Sequence, residues 1–332
     1  MNLVAVGVAL ALALGICVTA ATGVAVPGRT GIEGAPIVAI AVTGTSVTYA
    51  VGDSSTKSDC AHVYLWRTAG GRTGKWRFGK PTNEPCVENP STGSGISAVA
   101  MSASRSLWIQ YAGGNLRDWE LFTASRSKTT PRELAFAEQD VSLPAPIVIG
   151  QGNAAGVPYA VRQLVTFLGD DGSPLFEWTA PGNVLLLAAG TGPDGAEVAV
   201  FDDTGTLTLL NATGAILTST IYPTEGVTAL ALGPAGAAVQ NGTTVELRNG
   251  PQVKTVTLPD GARMFGYGEG RIYYSLSGAI HALKTANGQD SLLVAARAGR
   301  STVAAFATAG GFAWSNGNQI NWSCAGCVSY GS

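Results

Sequence analysis

The sequence predicts an all-β fold, a seven-bladed β-propeller with six or eight blades as the alternatives, its ring closed by a strand from the N-terminus. Three observations carry this. A unit of about forty residues recurs, each reading as four short strands split by Gly, Asn or Asp turns. Residues 184–222 show it cleanly: VLLLAAGTG, AEVAVFDDTG, TLTLLNATG and AILTSTIYP. No stretch of ten or more residues after position 30 has helical periodicity. One such unit cannot bury both its faces, whereas a ring of them can.

The innermost strands set the count. They start near Pro36, Ile96, Pro146, Val184, Val227, Ala262 and Thr302, and small residues dominate them. Small side chains are expected where strands converge on a central channel. The second and third strands are richer in aromatic and β-branched residues, as in SVTYAVG and HVYLWRT of the first unit and SLWIQYAGG and DWELFTASR of the second. Their alternation marks packing from blade to blade. Asp171-Gly172, Asn249-Gly250 and Asn287-Gly288 are hairpin turns. Most of the seven tryptophans, among them Trp66, Trp108 and Trp119, sit in strand contexts that blade packing explains. The last unit supplies TVAAFATAG, GFAWSNGN and QINWSCAG and then lacks a fourth strand, which residues 22–30 are expected to provide. Closure of that kind covers an open blade edge.

Residues 3–26 form an uncharged apolar run, read as a signal peptide over 1–21 or as a retained apolar anchor, ahead of a single propeller domain over 22–332. A signal peptide implies a secreted or cell-surface protein. Without Cys17, four cysteines remain: Cys60, Cys86, Cys324 and Cys327. Four allow three pairings. Cys60–Cys86 and Cys324–Cys327 are favoured, and both need an oxidising compartment. The first two units are longer than the others, with the extra length assigned to 52–61 and 80–95. In a propeller these loops share one face, and a Cys60–Cys86 bond would staple them, worth about 3 kcal/mol in the chain-entropy model. Long stapled loops on a rigid scaffold make a candidate binding surface, with Asp53, Lys57, Asp59, Glu84 and Glu88 as its charged groups.

Unit six pairs Ala282-Leu283 with the Asn287-Gly288 turn and Leu292-Leu293. This resembles the blade repeat of quinoprotein-like propellers, without that pattern's tryptophan. The resemblance implies fold and carries no cofactor residue across. More broadly the chain is similar to secreted bacterial propeller proteins of unassigned function, with WD-like repeats and Ala/Gly-rich inner strands. The closing GFAWSNGNQINWSCAGC resembles repeats of that group.

Chemistry-bearing motifs are sparse. The two histidines, His62 and His281, fall at third-strand positions of different units. Gly190–Gly195 matches G-x-G-x-x-G literally, but a strand follows where a dinucleotide site needs a helix. Cys324-Ala325-Gly326-Cys327 lacks the following helix a redox motif requires. No catalytic residue, metal site or cofactor is assigned. The formal charge is −2 with Lys and Arg scattered, which argues against nucleic acid. The favoured function is a non-enzymatic binding or protein-interaction module outside the cytoplasm. Its partner is an extracellular protein or glycan, and a membrane enters only if the apolar segment is retained. The alternatives are a carbohydrate hydrolase or lyase, which needs paired carboxylates at the channel mouth, and a structural subunit of a surface assembly.

Overall fold

The computed structural model describes residues 28–29, 33–44, 46–52, 61–69, 72–78, 94–192, 195–223, 225–297, 302–307 and 311–323. The segment 1–21, the candidate residues Asp53, Lys57, Asp59, Glu84 and Glu88, and Cys60, Cys86, Cys324 and Cys327 lie outside the described residues.

Seven four-stranded antiparallel sheets stand among the described residues, with no helix. Their inner strands are Ile37–Thr43, Ser94–Met101, Ile147–Ile149, Val184–Ala189, Val227–Gly233, Arg263–Gly268 and Ala304–Ala307. These agree closely with the starts expected from the sequence. The sheets are numbered here as blades 1 to 7 in that order. In blades 1 to 6 sequence order is spatial order, from the channel to the rim. Blade 7 is the exception. Its outer strand is Gly28–Arg29, paired antiparallel with Ile320–Ser323, Gly28 opposite Trp322 and Arg29 opposite Asn321. The missing fourth strand therefore comes from the N-terminal side of the chain.

The core is divided among the seven blade interfaces. Val47, Tyr49 and Trp66 of blade 1 pack on Ala313 and Ile320 of blade 7. Leu65 and Phe78 of blade 1 pack on Trp108 and Phe122 of blade 2. Equivalent clusters join blades 2 and 3, 3 and 4, 4 and 5, 5 and 6, and 6 and 7, so the circuit closes. Alternation produces this directly. In the third strand of blade 1, His62–Ala69, Val63 and Leu65 face blade 2 while Tyr64 and Trp66 face blade 7. The tryptophans at 66, 108 and 119 are buried in these interfaces, as their strand contexts imply. Small residues on inner strands permit the close approach. A Cβ on Gly266 of blade 6 would lie 2.2 Å from Cβ of Phe306 in blade 7.

Two features were not expected. Five inner strands shift register near their start, around Val38, Ser97, Leu185, Thr228 and Phe265. A bulge there sharpens the twist as each strand leaves the crowded channel. The second concerns the length of unit two. Its third and outer strands, Leu116–Ser125 and Arg132–Asp140, run ten and nine residues, longer than the third and outer strands of the other blades. The extra length of unit two thus includes β-hairpin, while 53–60 and 80–93, within the stretches to which the sequence assigned extra length, lie outside the described residues.

Polar side chains tie neighbouring blades. The Thr48 and Ser106 hydroxyls of blades 1 and 2 lie 2.5 Å apart. Gln240 of blade 5 donates to the Ala262 carbonyl at 2.7 Å and accepts from the Met264 amide of blade 6 at 2.7 Å. Asp170, in the blade 3 turn before Asp171-Gly172, accepts from Ser102 Oγ at 2.6 Å and from the Ser104 amide and Oγ at 2.7 Å each. Burial alone would raise the Asp170 carboxyl, but these bonds from Ser102 and Ser104, with the Arg105 backbone, outweigh it and hold the group below the usual carboxylate range.

Candidate functional site

The turns between inner and second strands converge around one end of the channel. In blades 1 to 5 they are built from Thr, Gly, Ser, Ala, Asn and Pro, short residues that leave space between them. The result is a cup of about 660 Å³, lined by Thr43, Gly44 and Ser46 of blade 1, Ala103 of blade 2, Asn153–Ala155 of blade 3, Thr191 of blade 4 and Pro234 of blade 5. Two charged side chains reach it, Arg67 and Glu197. The G-x-G-x-x-G match contributes Thr191 to this rim from a strand-to-strand connection, in agreement with its reading as a turn.

The channel is crossed next to the cup. Gln151, immediately after the inner strand of blade 3, donates its side-chain amide to the Phe306 carbonyl on the inner strand of blade 7. These strands belong to blades on opposite sides of the ring. A side chain as short as glutamine bridges them only where the channel is almost closed. The backbone of Gln151 is fixed as well, bridging in parallel to Ala188, with the Ala189 amide donating to its carbonyl at 2.6 Å. The cup is therefore blind.

Asn153 organises one wall. Its Oδ1 accepts from the Ala155 and Gly156 amides at 2.9 and 3.0 Å, which shapes the turn. Its Nδ2 donates to the Gly190 carbonyl at 3.2 Å and to Glu197 Oε2 at 3.0 Å. Glu197 sits where the register of the second strand of blade 4, Ala196–Asp202, slips between Ala196 and Val198. Such an irregularity re-aims a side chain, here into the cup. Burial pushes the Glu197 carboxyl up, and the Asn153 bond opposes this only in part. Across the cup, Arg67 has a buried Nε with no hydrogen-bond partner. An unsatisfied buried donor costs about 1–3 kcal/mol. The cup thus places Arg67 and an acid that resists ionisation on opposite sides of an otherwise small-residue surface.

The raised Glu197 acid has a defined pH signature. Below the unfolded carboxylate value, about 4.3, the group is neutral in both states and costs nothing. As pH rises through that value the unfolded chain ionises freely while the folded chain resists, so stability falls until the folded value is passed. Glu197→Gln, which keeps an acceptor for Asn153, is expected to melt slightly higher than wild type at pH 7 and to match it at pH 3.5. Thermal melts across that range check this.

The other sequence candidates divide clearly. His62 contacts Arg77 on the outer strand of blade 1, and His281 lies 2.9 Å from Asp290 Oδ2 and stacks on Tyr274, both in third strands as expected and both outside the cup lining. Among the described residues no group of three or more His, Cys, Asp or Glu is placed to hold a metal. Glu197 is the one carboxylate in the described cup lining, where the paired-acid alternative needs two. The loop candidates Asp53, Lys57, Asp59, Glu84 and Glu88 lie outside the described residues. Arg67, Asn153 and Glu197 escaped the sequence reading. Arg67 did leave a signal: it falls on the same alternation as the buried Val63 and Leu65, a charge on a core-facing parity.

These features define a β-propeller. The crystal structure of the mitotic checkpoint complex contains a chain that superposes with a TM-score of 0.55 at 13% identity, covering 97% of this chain and 98% of that one. The structure of Sqt1 from Saccharomyces cerevisiae superposes with a TM-score of 0.48 at 12% identity, covering 89% of this chain and 97% of that one. At 13% identity the first of these likenesses speaks for the fold alone. No family model matches the sequence, and no curated protein matches it significantly.

Proposed function

We propose that this protein is a non-enzymatic interaction module that seats part of a protein partner in the blind cup. The observation that carries the reading is the cup itself, a small-residue surface with Arg67 on one wall and Glu197 on the other. A bound carbonyl or carboxylate accepts from a guanidinium in such a wall. A peptide segment supplies such an acceptor together with amide donors for Glu197. Similarity to a chain of a multiprotein checkpoint assembly is in keeping with a scaffold role. Export belongs to the same proposal, resting on the uncharged apolar run at 3–26 and the even set of cysteines after it.

A photo-crosslinking residue tests this in the protein's own cells. Placed at Thr191 on the cup rim, it is expected to give one dominant protein adduct that Arg67→Glu suppresses. Placed at Ile221, 81% exposed on the outer strand of blade 4, it is expected to give none. Adducts from Ile221 with none from Thr191 would overturn the cup as the docking site. Intact mass tests export: a chain starting near residues 20–24 and four hydrogens light agrees with it, and a full-length chain with free thiols contradicts it.

A further inference from the structure

A second, smaller cleft of about 170 Å³ opens between blades 2 and 3, on the same end of the ring as the cup. Its walls bring together the side chains of Arg105, Lys128 and Arg132 with the hydroxyls of Ser125 and Thr130. We propose that this notch is a binding site for one tetrahedral oxyanion of the phosphate class, carried as an ester group on a larger molecule.

The charge balance is the first argument. Three cations share the cleft with a single acid, Asp171, whose Oδ1 is held by the Ser173 amide at 2.9 Å. None of the three cations belongs to a salt bridge among the described residues. Three like charges gathered around one counter-charge cost stability, and an anion seated among them relieves it. Arg105 feels the crowding: burial first, then Arg132, lower its pKa, against partial compensation from Asp170 and Asp171.

The second argument is preorganisation. Arg105 Nε donates to the Asp170 carbonyl at 3.0 Å and its Nη1 to Thr123 Oγ1 at 3.3 Å. Arg132 Nη2 donates to the Gly172 carbonyl at 3.2 Å. Neutral oxygens hold both guanidinium groups in place, and neither group forms a salt bridge among the described residues. The Asp171-Gly172 turn also presses on Arg105. Gly172 has φ +91°, and a Cβ there would lie 2.6 Å from Arg105 Nη2. The turn glycine is thus required for this approach as well as for the hairpin.

Size and placement supply the chemical class. The cleft holds the volume of roughly five or six waters, enough for a phosphate group and too little for a sugar or a nucleoside besides it. Lys128 is exposed and supplies the third cation of the lining. The single turn Ser102–Arg105 separates the two cavities, with Ala103 in the cup wall and Arg105 in the notch. A molecule lying over this turn reaches both, which places the oxyanion on something larger than itself. Occupancy of the notch does not depend on the cup.

Calorimetric titration of the full chain with sodium phosphate and with phenyl phosphate tests the site, against sodium chloride at matched ionic strength. Both phosphates are expected to bind with affinities within about threefold of each other. The double variant Lys128→Ala, Arg132→Ala is expected to weaken both at least tenfold, while Lys128→Arg retains binding. Arg67→Ala is expected to leave phosphate affinity unchanged, which keeps failure of the notch distinguishable from failure of the cup. Thermal melts of each variant confirm folding. No saturable binding to wild type, or equal binding to the double variant, would overturn the proposal. Inorganic phosphate binding with phenyl phosphate excluded would overturn the ester-borne form.

Discussion

Trp108→Ala is expected to lower the stability of the protein by about 3–5 kcal/mol, the range for truncating a fully buried aromatic. Trp108 is 1% exposed, on the second strand of blade 2, Arg105–Ala112. Its ring stacks on Phe78 of blade 1 at 5.8 Å with an interplanar angle of 2°, and on Phe122 of its own blade at 5.9 Å and 28°. The indole is the middle layer of a three-ring stack across one blade interface. Truncation leaves a cavity with a flat ring on either side, and strand backbones pinned by four-stranded ladders cannot collapse to fill it. For a ring of this size the melting temperature is expected to fall by about 5–8 °C. Trp108→Phe keeps a ring in the stack and is expected to lose less than half as much. Denaturant titration of wild type and both variants checks this. Equal losses for Ala and Phe would mean that neither the volume nor the stacking of a retained ring contributes at this position.

Glu33→Ala is expected to weaken the blade 1 side of the seam where the ring closes. Glu33 is 8% exposed and lies between blades 7 and 1. Its amide donates to the Asn318 carbonyl at 2.8 Å, and Asn318 Nδ2 donates back to its carbonyl at 2.8 Å. Its carboxylate accepts from Tyr49 OH at 2.6 Å and from Lys75 Nζ at 2.6 Å. Lys75 also lies over the Tyr64 ring, 4.2 Å from its centroid, and Tyr64 stacks on Tyr49 at 5.4 Å. Tyr49 is fully buried. Burial first, then the Glu33 carboxylate, hold its phenol well above the ordinary value, so it remains a donor at all ordinary pH. Alanine at 33 strands that donor. Lys75 is 40% exposed and regains water, so the loss falls mainly on Tyr49, about 2–3 kcal/mol. Glu33→Gln returns an acceptor to Tyr49 and is expected to recover most of it. A double-mutant cycle with Tyr49→Phe isolates the pair, and additive losses would show that the clasp does not couple the two residues.

These two residues also mark what the sequence made legible. Trp108 sits in SLWIQYAGG, where alternation alone gives the strand, the parity and the packing role. The closing strand followed from arithmetic, because the last unit was one strand short. Turn residues such as Asp171 and Gly172 were legible as turns for the same local reason. Glu33 was not legible. It lies in a short connection without periodicity, and its partner Asn318 is 285 residues away along the chain. Gln151 presents the same difficulty, since its role as a rod across the channel exists only once blades 3 and 7 face each other. The cup and the notch likewise draw each wall from a different blade. Local pattern determines which face of a strand is buried. Which polar groups meet at the channel depends on ring closure, and one sequence read strand by strand does not contain it. Arg67 is the instructive intermediate, visible as a charge on a buried parity yet without a partner that local reading supplies.

The most direct measurement is a density map of the full chain at a resolution that places side chains around the channel. The expected map has seven four-stranded sheets, Gly28–Arg29 on the edge of the last, and the Gln151 amide against the Phe306 carbonyl, so that the cup ends blindly with Arg67 and Glu197 in its walls. A continuous water-filled channel between the two mouths, with Gln151 turned away from Phe306 and Arg67 paired to a carboxylate of its own chain, would contradict it.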